Sequence, residues 1–191
     1  MADTLGFDSA RIKRLRNPER LEYFQPERIW EVLQPKPDCT LIDIGAGVGF
    51  LTIPFAEKFP TAKVFGCDIL EGMVRLLHQD AEQRGLDNLE ALLMAPNLVS
   101  LDNDVADIII MGQVHHELDA PESLLRECRR LLKRQGSIAI VDWADEENGK
   151  SPPTGRRVPA ARIRHELQDA GFRNIETHAV YKYHTFITGI A

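Results

Sequence analysis

The chain has 191 residues, 43% of them hydrophobic, and a formal net charge of −6, which suits one globular domain with a real core. Acidic and basic residues are mixed throughout, and this balance argues against a nucleic-acid backbone as the main partner, because such partners select a positive footprint. No stretch approaches the roughly 20 apolar residues of a membrane helix, and "MADTLGFDSARIKRL" lacks the apolar run and small-residue cleavage site of a secretory signal.

Residues 9 to 34 are charged and helix-prone, but Asn17-Pro18 and Gln25-Pro26 interrupt them. Proline fits the first turn of a helix far better than its interior, so two or three short helices are expected. Leu15, Leu21, Phe24, Ile29, Trp30 and Leu33 give them something to bury, and Pro35 and Pro37 close the segment. Arg11, Lys13, Arg14 and Arg16 read as a solvated helix face. From residue 40 the pattern changes. "TLIDIGAG" reads as a buried strand, "FLTIPFAEKF" as a helix with Pro54 in its first turn, and "KVFGCDI" as a second strand. "EGMVRLLHQDAEQRG" is a helix ended by Gly85, "LEALLMA" a third strand and "VADIIIMGQV" a fourth. "PESLLRECRRLLKRQG" reads as one helix, with Pro121 near its start and Gly136 just past its end. "SIAIVDW" is a fifth strand and "ARIRHELQDAG" a helix; "NIETHAVYK" and "HTFITGI" are two more strands with no helix between them. Alternating strands and helices imply a parallel sheet covered on both faces. The last two strands can only form a hairpin, so one sheet edge becomes antiparallel.

The stretch "LIDIGAGVGF" carries glycines at 45, 47 and 49 directly after an apolar run. Glycines at a strand-to-helix turn let a ligand approach the backbone, and the helix N-terminus favours an anionic group. A dinucleotide loop has the spacing G-x-G-x-x-G. Here the spacing is G-x-G-x-G behind Asp43, and Phe50 stands where the third dinucleotide glycine would fall. A bulky ring there opposes the close strand-to-helix packing of that loop, and with the terminal hairpin it argues against an NAD-dependent oxidoreductase.

On these residues the sequence resembles the class I methyltransferases that use S-adenosylmethionine (SAM), and among them the small type 11/25-like domains. "GCDIL" looks like the family's second motif, and "MGQVHHELDAPESLLRECRRLLKRQGSIAIVDW" resembles its fourth and later motifs. The resemblance covers about residues 38 to 191. It implies a Rossmann-like, doubly wound α/β fold: a seven-stranded, mostly parallel sheet with a C-terminal antiparallel hairpin. Residues 1–37 would be an N-terminal helical lid segment and 38–191 the SAM-binding domain. The activity implied is transfer of the SAM methyl group to a small-molecule acceptor by in-line displacement, leaving S-adenosylhomocysteine. A fold-retaining, non-catalytic SAM-binding or partner module is the alternative. No catalytic residue is required, because the protein mainly orients the reactants.

Residue by residue, the backbone of Gly45, Ala46 and Gly47 would meet the methionine part of SAM, and Asp43 would orient its ammonium group. Asp68 would take both ribose hydroxyls; it would also suit a cap on the following helix. Ile69 and Met73 would pack on the adenine, although Met73 equally suits an ordinary core position. The family commonly has an acid after the third strand, and register puts Ala95 there. The adenine would then be held by backbone at Ala95 and Pro96 and by Asn97, or be held less tightly. Gln113 would lie close to the methionine moiety. "HHE" at 115–117 is not expected to bind metal, because adjacent histidines point to different sides and no second cluster supports them. His116 would line the acceptor pocket, where an imidazole can act as base near neutral pH. In "NGKSPPTGRRVP", Arg156 or Arg157 would clamp an anionic acceptor; a proline-stiffened surface loop is the plainer reading. Tyr23 and Phe24 would close over the cofactor. Cys39, Cys67 and Cys128 form no disulfide framework or metal knuckle and point to the cytoplasm; they are too scattered for methylation of thiol-bound arsenite. A monomer or homodimer is expected, with no nucleic-acid or membrane partner.

Overall fold

The computed structural model describes residues 9–146, 149 and 156–191. Seven strands form one sheet: β1 (Thr40–Ile44), β2 (Lys63–Asp68), β3 (Leu89–Leu93), β4 (Ala106–Gly112), β5 (Leu132–Trp143), β6 (Arg173–His178) and β7 (His184–Ile190). Their order is β3-β2-β1-β4-β5-β7-β6. β1 to β5 run parallel, and β7 is antiparallel to both β5 and β6.

Successive residues of a strand face opposite sides of the sheet, and two apolar cores result. Leu41, Val64 and Ile108 enter one, with Ile53 and Phe55 of α3 (Thr52–Lys58) and Leu77 of α4 (Glu71–Arg84). Their neighbours Ile42, Phe65 and Ile109 enter the other, with Leu124 and Leu125 of α5 (Pro121–Leu131) and Ile163 and Leu167 of α6 (Ala160–Asp169). The N-terminal segment is three short pieces: α1 (Ser9–Leu15), a 3-10 helix at Pro18–Glu22 and α2 (Glu27–Leu33). Phe24 and Ile29 are fully buried, and Trp30 packs edge-on to Phe55. The segment is therefore continuous with the sheet's core, except for α1, which buries none of its residues.

Local signals set most boundaries. Pro54 is the third residue of α3, Pro121 the first of α5, and Gly85 ends α4 in the left-handed region at φ 65°. One element differs from expectation. The helix expected to run to Gln135 stops at Leu131, and β5 begins at once. Leu132 pairs with Ala106, and the register then shifts so that Ile108 pairs with Ser137. The intervening residues bulge, with Gln135 left-handed at φ 73°. Burial of Leu132 beside Ala106 outweighs the helix propensity of "LKRQ". Residues 148 and 150–155 of the predicted acceptor loop lie outside the described residues.

The chain order reverses between β1 and β4, whose connections run to opposite sides of the sheet. This reversal opens a crevice at the carboxyl ends of the strands, where open α/β sheets bind ligands.

Candidate functional site

A cavity of about 470 Å³ occupies that crevice. Its floor is the glycine loop. Gly45 and Ala46 donate their N–H groups to the Cys67 carbonyl at 2.8 and 3.0 Å, which ties the end of β1 to β2. All three glycines are left-handed, but they do different things. A Cβ on Gly45 would lie 2.4 Å from Val114, and one on Gly49 would lie 2.6 Å from Leu77. A Cβ on Gly47 would meet nothing closer than Leu15 at 3.9 Å. The outer two glycines permit packing, and the middle one leaves open backbone facing the cavity.

Two carboxylates stand beside this loop. Asp43, 2% exposed, accepts a 2.6 Å hydrogen bond from the Thr52 hydroxyl. Burial pushes its carboxyl up to about 7; the charge of Asp68 adds to this and Thr52 opposes it. Asp68 accepts from Gly47 N–H at 2.8 Å through one oxygen and from Leu70 N–H at 2.9 Å through the other. Burial raises its pKa as well, against those backbone bonds and the charge of Arg11. Asp68 does not cap α4; Leu70 holds the cap position, without a side-chain bond. A carboxylate has about four acceptor sites, so Asp68 keeps acceptor capacity for a ligand.

Beyond Asp68 the wall is apolar. Ile69 is half-exposed, Met73 is buried, and both line the cavity with Pro96 and Asn97. Ala95 is not on the wall. Its N–H and C=O exchange hydrogen bonds with Leu98 in a tight turn, and Met94 stands at the cavity instead. Sequence reasoning passed over Met94, although an apolar residue ending a strand was visible.

The opposite wall comes from the end of β4, the residues that follow it and the N-terminal segment. Gln113 follows β4 at φ 59°, a strained backbone for this residue type. Both ends of its side chain are engaged. Its oxygen accepts from Arg20 at 2.8 Å, and its nitrogen donates to His184 Nε2 at 2.8 Å. That donation requires a neutral His184, and burial lowers the His184 pKa to about 4. Arg20 also donates to the Leu15 carbonyl at 2.7 Å and lies 3.9 Å from the centre of the Phe50 ring. Tyr23 stacks on His184, with ring centroids 6.0 Å apart and planes 9° from parallel. It is thereby turned away from the cavity, which Phe24 lines in its place.

The adjacent histidines diverge, as expected. His115 meets Glu166 of α6 at 2.6 Å, while His116 lines the cavity and bonds Asp142. Asp142, fully buried in β5, was not anticipated, although a lone acid in the apolar run "IAIVDW" needs a partner. Arg14 of α1 and Arg156 bring positive charge to the same cavity. Arg157 is buried instead. Among the described residues no cluster of metal-ligating side chains occurs. The three thiols are buried; burial pushes Cys39 to about 11 and Cys128 to about 12, and raises Cys67 too. None lines the cavity.

A family model described as a methyltransferase domain matches residues 35–180. Nocamycin O-methyltransferase from Saccharothrix syringae is 34% identical over 143 residues, covering 72% of this chain and 48% of that one. A malonyl-[acyl-carrier protein] O-methyltransferase from Geobacter sulfurreducens is 28% identical over 152 residues, covering 71% and 56%. The chain thus spans about half the length of these curated relatives. A SAM-dependent methyltransferase from Aquifex aeolicus of known crystal structure is 33% identical, with a TM-score of 0.90 over 97% of this chain and 99% of that one.

Proposed function

Because the chain belongs to the class I SAM-dependent methyltransferase family, we propose that it binds SAM in the cavity described and transfers its methyl group to a small-molecule acceptor. One observation carries this reading: the open backbone at Gly47, the desolvated Asp43 and the carboxylate of Asp68 share one cavity. The residues fit the donor's groups. Asp43 is a buried acid held partly protonated, and an ammonium beside it favours its charged form. Asp68 can accept from two ribose hydroxyls while keeping Gly47 and Leu70. Ile69 and Met73 offer an apolar face to the adenine, and Asn97, with the Pro96 carbonyl, offers hydrogen bonds to its edge; Ala95, turned onto Leu98, does not.

SAM, when bound, supplies a methyl group already made electrophilic by the sulfonium. The chain's residues bind, orient and exclude water. Leu15 and Phe24 cover the cavity from the N-terminal side. The guanidiniums of Arg14 and Arg156 suit an acceptor carrying an anionic group. Tyr23 acts at one remove, by fixing His184 and through it Gln113. Three buried thiols suit a reducing compartment such as the cytoplasm.

The second reading, a SAM-binding module without turnover, is favoured by one feature: Ala95 stands where the family resemblance implies an acid for the adenine amino group. Labelled SAM offered to a broad metabolite panel separates the two, since methyl transfer ends the second.

The donor site is tested by calorimetry with S-adenosylhomocysteine. Gly47→Val fills the open cradle, and Asp68→Ala removes the ribose ligand and the loop's anchor. Each is expected to weaken binding at least about tenfold, the loss of about 1.4 kcal/mol or more. Undiminished affinity in both variants overturns the placement.

A further inference from the structure

We propose that His116 and Asp142 form a general-base dyad, and that the group methylated is therefore a hydroxyl of phenol- or enol-like acidity. This inference rests on the methyltransferase reading and deepens it. His116 Nδ1 lies 2.7 Å from one Asp142 oxygen, which also accepts from Trp143 N–H at 2.7 Å. The other oxygen accepts from the His116 N–H at 2.9 Å. The side chains of His116 and Asp142 are 7% and 1% exposed. An ionised carboxylate only accepts hydrogen bonds. Nδ1 must then carry the proton, which leaves the Nε2 lone pair as the imidazole's reactive end. His116 lines the cavity that holds the donor site. Glu117 lies 3.9 Å from Nε2 and is itself paired with Arg11 at 3.8 Å. Asp119, Arg14, Arg20 and Arg156 also line the cavity.

An imidazole fixed on one side by a buried carboxylate and open on the other is built to take a proton. A thiolate, a carboxylate or a free amine attacks without losing one first. A phenol, with a pKa of about 10 like tyrosine's, is almost wholly protonated at neutral pH and gains from a base. In the proposed step the acceptor O–H bond breaks as its proton passes to Nε2. The O–CH3 bond forms, and the CH3–S bond breaks with its electron pair left on sulfur. Asp142 stabilises the imidazolium, which then gives its proton to solvent.

The test uses 4-hydroxybenzoate, 4-mercaptobenzoate and 4-aminobenzoate, probes of one size and charge that differ in the attacking atom. His116→Asn keeps a donor for Asp142 at the Nδ1 position and deletes Nε2. With labelled SAM, the wild type should methylate the phenol. H116N should lose at least about 100-fold on the phenol and stay within about threefold on the ionised thiol. Equal loss on both probes means that His116 only positions, and overturns the proposal, as does unchanged phenol transfer. A wild type that binds S-adenosylhomocysteine yet moves no methyl to the phenol also overturns it, and leaves the donor site standing. Failure to bind S-adenosylhomocysteine overturns the earlier reading instead. Independently of turnover, nitrogen NMR of the neutral His116 ring should show Nδ1 protonated and Nε2 bare. The opposite tautomer sinks the dyad.

Discussion

Single residues carry opposing pH dependences. Asp43 in the folded chain binds its proton more tightly than in the unfolded one, at about 7 against the ordinary 3.8. Its contribution to stability is full below the lower value and shrinks as pH climbs toward the higher one. His184 runs the other way: its folded value is about 4 against 6.5, so its contribution is full above 6.5 and lost as pH falls through 4. Between pH 4 and 6.5 the two slopes offset. His184→Gln should unmask the Asp43 slope, making stability relative to wild type fall with rising pH by an amount on the order of 2 kcal/mol. Urea midpoints at pH 4.5 and 6.5 measure it, and parallel curves for variant and wild type refute it. Binding adds a second signature. An ammonium beside Asp43 draws it into the charged form, so affinity for S-adenosylhomocysteine should rise from pH 6 to 8 in the wild type and not in Asp43→Asn. At this scale the sequence showed the acids well, because Asp43 and Asp68 sit at strand ends with glycines in register. It hid Asp142 and His184, whose meaning comes from partners 26 and 71 positions away in the chain.

Among the elements, α1 and the 3-10 helix that follows it are held by different forces. α1 has no fully buried residue and is tied down by the part-exposed pairs Arg11–Glu117 and, just past its end, Arg16–Asp80, together with the Arg20 bond to the Leu15 carbonyl. Solvent-accessible pairs contribute about 0–1 kcal/mol and weaken with salt. Raising ionic strength should therefore speed S-adenosylhomocysteine release in stopped-flow traces while moving the melting temperature little. Arg20, by contrast, is buried and serves two acceptors. Arg20→Ala strands both and should cost about 2–3 kcal/mol in urea unfolding. The prolines made these short helices readable. The α5–β5 junction was not readable, because helix propensity over 132–136 is local and the pairing of Leu132 with Ala106 is not.

For the molecule as a whole, the sheet was legible almost entirely. Runs such as "IIIM" and "IAIV" marked the central strands, and the absence of a helix between the last two marked the hairpin. What no linear reading could deliver was which walls of the crevice meet. The N-terminal segment crosses to β4 and β7 through Arg20, Gln113 and His184, contacts between residues far apart in the chain. The closed architecture also predicts thiol behaviour. With all three cysteines buried, a disulfide reagent should react only as fast as the chain opens, and three thiols should appear together on unfolding. Prompt reaction of any one in the native protein contradicts this packing.

The ring of Phe50 has a role beyond filling the turn after the glycines, because Arg20 rests on it and Phe24 packs 5.4 Å away. Trading it for the glycine of a dinucleotide loop would strip the platform from under a buried cation. The evolutionary route from nucleoside to pyrophosphate recognition is thereby barred to a one-residue change. Any ancestor or design that switches ligand class here must first re-anchor its amino-terminal arm.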